Sequence, residues 1–425
     1  MDIIMTLAVA LPSNLIGKWL VQLSELLPSF GVTVIVFTII LKLITSPLDI
    51  WQRISQRKQS RAMARLQPKL AKLQKQYANQ PQLLRQKQAE LQKEEKLHPL
   101  ASCLPLIVTM VIFFVVFAGF RQLVAYQNEV IMENVYTEYV QFIADESGEN
   151  VETAVKDYVI SAHRNKLMSD TPEGADINQD ALDNAMNEYV LQIENKSGAG
   201  YEDYTSALQI YRTYFDIEGV GDKKTYYDSL SKSDKEIVIG SGNAFESNLN
   251  VCLANAYEEH MESFLWIKNI FMSDTGTNVV PTVQQFTGGK IQAKWNVAVS
   301  YDTLTSPAQQ RLNKKSFWDA KNWNGYFVLP ILSVALSFLT TWFTQKMSPQ
   351  NVMGDAKQQK SQQRTMKMVT YMMPLIMGIF AIVYSAAFGL YYFMSNAIST
   401  LFNVAFLIIT KQLDKREAAK SLLIK

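Results

Sequence analysis

Lys42 stands alone in an otherwise uncharged strip that runs from Leu26 to Leu48. Such a strip can cross a hydrocarbon core of about 30 Å at about 1.5 Å per helical residue. A charge near its middle costs about 2.5–3.5 kcal/mol on insertion scales. Thr38 and Thr45 lie four residues before and three after Lys42, so all three share one helical face. A lysine between two hydroxyls suits the holding of anions or polar chain, not the making of bonds. Two readings stand at this point. Either the ammonium meets a polar partner inside the membrane, or its stem snorkels to the surface beyond Pro47.

No reaction centre emerges elsewhere. His98, His163 and His260 are scattered, and Cys103 and Cys252 are too few and too far apart to suggest a metal or redox centre. No nucleophile elbow or Gly-rich phosphate loop is present in the sequence. The acidic run around His260 (Glu258, Glu259, Glu262) reads as a wet helix face. The expectation is a protein that is not an enzyme, takes no cofactor and reads no nucleic-acid sequence.

The elements that must carry Lys42 are membrane spans. Residues 100–120 hold no charge in 21 positions, 326–345 none in 20, and 368–410 none in 43. The last stretch would be about 64 Å long as one helix, so it must be two spans, with a turn in the small residues 385–389. Five spans follow, at 30–48, 100–122, 326–345, 368–386 and 388–410. Charge orients them. Segment 49–99 has 12 Lys/Arg against 4 Asp/Glu, segment 346–367 has 5 against 1, and segment 411–425 has 5 against 2, whereas 121–325 has 17 against 30. Basic short loops stay cytoplasmic. The amino terminus (1–29) and the acidic region (123–325) are therefore expected outside, with the basic hairpin (49–99), the basic loop (346–367) and the tail (411–425) inside.

Three of these segments have structure of their own. Apolar residues at 15, 16, 19, 20, 23, 26 and 27 form a helix-like stripe, read as an amphipathic helix on the outer membrane face. In the basic loop, Leu66, Leu70, Leu73 and Tyr77 are spaced 4-3-4 and a break at 79–81 precedes Leu84 and Leu91, which predicts a helical hairpin. Its basic exterior suits acidic lipid, ribosomal RNA or an acidic protein. In the outer region, 129–163, 179–193, 201–216 and 245–271 read as helices, with breaks at 171–174 and 240–242. Val/Thr-rich flanks around 287–289 predict a β-hairpin over 279–301.

The ordered blocks carry a resemblance. LKLITSPL at 41–48, the basic hairpin at 66–97, HPLASCLP at 98–105, SFLWIKNI at 263–270, LPILSVALSFLTTWFTQKMSPQN at 329–351, MKMVTYMMPLIMGIF at 366–380 and GLYYFMSNAIST at 389–400 follow one another. In this order they resemble the YidC-type membrane protein insertases, over roughly 13–122 and 262–412. The resemblance implies five helices around a hydrophilic groove, closed outside and open to the cytosol and to lipid. It places Lys42 where the family usually has an arginine, exchanging a bidentate fork for a point charge. It implies that Lys42 holds polar or acidic parts of a client. Thr38 and Thr45 on the same face, and Thr109, are expected to line the groove with it, and Tyr392, Ser395 and Asn396 are expected either to line it or to serve ordinary helix packing.

The implied function is an energy-independent insertase and folding chaperone in a bacterial plasma membrane, of Gram-positive-like origin. It would act as a monomer on nascent membrane proteins in the lipid bilayer, with the Sec translocon and the ribosome as candidate partners. The alternatives are a small-anion transporter or channel, and a membrane-anchored surface receptor. The fold expected is an all-α polytopic membrane protein with a cytoplasmic helical hairpin and a large, mainly helical extracytoplasmic insertion.

Overall fold

The computed structural model describes residues 11–77, 80–94, 104–144, 148–170, 178–287, 301–316, 318–347 and 356–423. Among them the regular structure is entirely helical: α1 (Leu15–Ser24), α2 (Phe30–Gln76), α3 (Pro81–Glu94), α4 (Leu104–Ala144), α5 (Glu149–Ser169), α6 (Gln179–Glu194), α7 (Gly198–Asp216), α8 (Val220–Ser229), α9 (Lys232–His260), α10 (Val283–Thr287), α11 (Tyr301–Leu312), α12 (Val328–Met347), α13 (Ala356–Val383) and α14 (Ala386–Leu423). The chain forms two compact units. A bundle unit takes residues 1–130, 261–291 and 312–425, and an acidic unit takes 131–260 and 292–311.

Among the described residues, four helices are long and apolar enough to cross a membrane, at Phe30–Ser55, Met110–Ala144, Val328–Gln345 and Ala386–Leu413. The apolar part of α13, Thr370–Val383, is shorter. The first span and the first arm of the basic hairpin are a single helix, α2, of 47 residues. Polarity changes at Asp49, but helical backbone geometry has no reason to change with it. Pro47 lies inside α2 and lacks the N–H that Leu43's carbonyl would receive; the Ser46 hydroxyl donates to that carbonyl instead, at 2.8 Å. The α2–α3 hairpin closes on buried Leu66, Leu70 and Leu84.

One segment fixes the starts of two spans. Asp274 is fully buried, and its carboxylate accepts from the Trp266 indole at 3.1 Å and the Tyr326 and Leu329 amides at 2.9 and 2.7 Å. The last two bonds cap the start of α12, where free N–H groups favour an anion. The carbonyls of Ile270 and Met272 accept from Ala387 and Ala386 at the start of α14, at 2.9 and 2.7 Å. An aromatic cluster packs α4 and α14 together around Phe388, with Phe113, Phe117, Phe120, Tyr384 and Tyr391 at ring distances of 5.4–6.0 Å. Phe37 of α2 and Phe380 of α13 join it through Phe120 and Phe113, at 6.1 and 5.8 Å.

The acidic unit has a conventional core. Val151, Ala154, Val155 and Val159 of α5 pack with Tyr189 and Ile193 of α6, Ala207 and Tyr211 of α7, and Phe245 of α9. Four expectations fail. Residues 129–163 are not one helix, because α4 ends at Ala144 and α5 begins at Glu149 after Gly148 in the left-handed region. Residues 245–271 are helical only as far as His260. Two more concern glycines and a hairpin. Gly240 and Gly242 do not break the chain but lie inside α9. A Cβ on Gly240 would come within 2.1 Å of the Tyr158 ring, so this glycine serves the close approach of α5 to α9. In the bundle unit the expected β-hairpin is also absent from the described residues: Val283–Thr287 is a short helix, and 288–300 lie outside them. The expected break at 171–174 and most of the 98–105 block lie outside the described residues too.

Candidate functional site

The polar residues of α2 continue beyond the stripe that the sequence first suggested. Thr38, Lys42, Thr45, Asp49 and Arg53 recur at intervals of 4, 3, 4 and 4, so one face of the helix stays polar for about four turns. Lys42 extends along this face. Its Nζ donates to the Ser399 hydroxyl of α14 at 3.0 Å and lies 3.8 Å from the Asp49 carboxylate. The two charged side chains are 18% and 21% exposed. Arg53, one turn further on, donates to the Asn403 side-chain carbonyl of α14.

A matching stripe comes from α12. Ser333, Ser337, Thr340 and Thr344 are spaced 4, 3 and 4 along a mainly apolar helix. The Tyr392 hydroxyl donates to Ser337 Oγ at 3.0 Å, and the Thr340 and Thr400 hydroxyls share a hydrogen bond of 2.6 Å. Asn403 joins all three helices: its carbonyl receives Arg53, while its amide nitrogen donates to the Thr340 carbonyl at 3.4 Å and the Thr344 hydroxyl at 3.5 Å. The result is a polar seam along α14, with α2 and α12 on its sides.

Of the residues expected at the site, Lys42 and Tyr392 make contacts between helices through their side chains, and the Asn396 carbonyl accepts from the Thr340 hydroxyl of α12 at 3.5 Å. Thr38 is fully buried and its hydroxyl donates to the Val34 carbonyl of its own helix at 2.6 Å; the Thr45 hydroxyl donates to Lys42's carbonyl at 3.4 Å. Asn396 also bonds within its helix, to the Tyr392 carbonyl at 2.9 Å, and Ser395 pairs with the Tyr391 phenol. The Thr109 side chain lies outside the described residues. Sequence reasoning did not name Asp49, Arg53, Ser337, Thr340, Thr344, Ser399 or Asn403. Period was the available signal, since each extends a stripe of helical spacing.

Chemically the seam offers two cations, one carboxylate, hydroxyls and amides. The seam contains no group of three or more His, Cys, Asp or Glu that could hold a metal, and none exists elsewhere among the described residues. What it offers is partners for polar groups in helices whose other faces are apolar. Without such partners, a polar group in hydrocarbon costs several kcal/mol.

Known proteins match these same helices. The family model described as "60Kd inner membrane protein" matches residues 22–145 and 247–415. The chain belongs to this family. Proteins named "Membrane protein insertase YidC" are similar to it: one from Fusobacterium nucleatum is 40% identical over 93 residues, 22% of this chain and 43% of that protein. One from Clostridium perfringens is 38% identical over 99 residues, 23% of this chain and 40% of that protein. One from Clostridium tetani is 39% identical over 98 residues, 22% of this chain and 41% of that protein. The chain thus spans about two fifths of the length of these curated relatives. No solved structure matches it. The family match leaves out 146–246, most of the acidic unit, and includes every helix of the seam.

Proposed function

We propose that the protein is a membrane protein insertase and folding chaperone of a bacterial plasma membrane. The observation that carries this reading is the seam itself: Lys42, Asp49 and Arg53 on α2 meet Ser399 and Asn403 on α14 within helices apolar enough to cross a bilayer. A client's polar flank, sliding past these groups, exchanges hydrogen bonds with water for bonds to the seam. Its apolar segment passes sideways into lipid. The hydrophobic barrier is shortened, and no nucleotide is needed.

In this reading five helices span the membrane, α13 being the fifth, with the amino terminus outside and the basic segments in the cytoplasm. The α1 helix lies along the outer surface. The α2–α3 hairpin, whose exposed residues are largely Lys, Arg and Gln, faces the side from which nascent chains arrive. The Sec translocon and the ribosome are its natural partners there, and one copy of the chain suffices.

The test is reconstitution. A single-span client with an acidic outer tail is synthesised in the presence of liposomes with and without the purified protein, and the tail's protection from protease is measured. Protection that rises with protein content supports the reading; protection equal to that of empty liposomes defeats it.

A further inference from the structure

We propose that Asp49 is a resident counter-ion of Lys42, which an acidic client segment must displace to enter the seam; this rests on the insertase reading above. Asp49 is the one acidic residue in the 47 residues of α2. It stands seven positions after Lys42, two turns or about 10.5 Å along the axis. A helical lysine usually leans back toward the helix start. Lys42 instead runs forward, so that its ammonium lies 3.8 Å from the Asp49 carboxylate and 3.0 Å from Ser399 Oγ. Both side chains are about four-fifths enclosed. The next cation on the stripe, Arg53, is held by Asn403.

The order of charges along the stripe is therefore cation, anion, cation. At rest Asp49 neutralises Lys42, which removes most of the cost of a bare ammonium among apolar helices. An incoming aspartate or glutamate presents the same chemical group that Asp49 already supplies. The exchange replaces one carboxylate by another, so the seam's preference for acidic clients is the difference between two similar interactions. A neutral tail leaves the Lys42–Asp49 pair in place and uses only the hydroxyls and amides. Asp49 thereby sets how acidic a client must be before Lys42 engages it.

The test uses the full chain in detergent micelles and a fluorescent single-span peptide, made with two aspartates or two asparagines in its tail. Asp49→Asn is expected to tighten binding of the aspartate peptide roughly 1.5- to fivefold, the range for a partly exposed ion pair. Binding of the asparagine peptide is expected to stay unchanged, and Asp49→Glu to behave as wild type. Equal change for both peptides, or no tightening for the aspartate peptide, overturns the proposal. Asp49→Ser is read in the same way if Asp49→Asn yields no folded protein. Binding is read in micelles and insertion in liposomes, so the expected shift on Asp49→Asn with no insertion by the wild type defeats the insertase reading and leaves only the pairing of Asp49 with Lys42 against acidic peptides.

Discussion

The bundle unit and the acidic unit are both helical, with apolar residues buried in each, yet they differ in what lies beside those cores and on their exteriors. In the bundle unit Thr38, Ser333, Ser337, Thr400 and Asn403 are buried, while Leu43, Ile44, Val111, Phe114, Ile331, Leu401 and Ile409 are exposed. In the acidic unit Val155, Val159, Tyr189 and Phe245 are buried together, and its ion pairs lie outside, as Lys156–Glu194 and Arg311–Glu258 do. One solvent cannot account for both patterns. Apolar surface is driven out of water, but hydrocarbon exerts no such force between helices, and there polar contacts and close packing take over. This contrast marks the bundle unit as built for lipid, and its seam supplies partners for polar chain among helices whose other faces are apolar.

The comparison can be broken most sharply by putting a charge on each exterior. Leu401, 68% exposed and mid-way along α14, would face lipid; Leu401→Lys is expected to cost about 2.5–3.5 kcal/mol and to lower the yield of membrane-integrated protein. The same change at Leu191, 53% exposed on α6, is expected to shift stability by no more than about 0.5 kcal/mol. Equal losses at the two positions would remove the contrast.

A second change sharpens it from inside. Asn403→Leu makes the bundle interior more apolar, which would stabilise a water-built core. Here it deprives Arg53 of its acceptor and removes the bonds that the Thr340 carbonyl and the Thr344 hydroxyl receive from α14, at an expected cost of about 1–3 kcal/mol. A raised melting temperature in detergent would contradict this.

The smallest effect concerns pH in the acidic unit. Burial pushes the Tyr211 phenol from its ordinary value of 10.0 up to about 12. The folded state therefore keeps a proton that the unfolded chain releases earlier. The stability this gives is complete below about pH 10 and is lost as pH rises toward about 12. Near-ultraviolet dichroism followed through an alkaline titration should show the tertiary signal of the tyrosines fading in that window. A signal gone before pH 10 would contradict the assignment.

Much of this was legible in the sequence, and the gaps have physical causes. Lys42, Thr38 and Thr45 stood out because one charge in an apolar strip is conspicuous. Asp49 and Arg53 continue the same stripe, but the span was ended at Leu48, where hydropathy falls and the helix does not. Ser337, Thr340 and Thr344 were hidden because small hydroxyl residues are ordinary in membrane helices, and only the partner helix reveals which of them meet. Gly240 and Gly242 looked like a break because glycine usually lowers helix stability. Packing against Tyr158 outweighed that preference, and no local pattern announces such a contact.

The central claim is that the seam's positive charge moves acidic clients, and Lys42 tests it most directly. Initial insertion rates of a client with an acidic tail would be compared in liposomes holding wild type, Lys42→Ala, Lys42→Glu or Lys42→Arg. The account predicts loss on Lys42→Ala, deeper loss on Lys42→Glu, and Lys42→Arg equal to or above wild type. Four equal rates would mean that Lys42 is only a snorkelling residue and that the seam does not work through its charge.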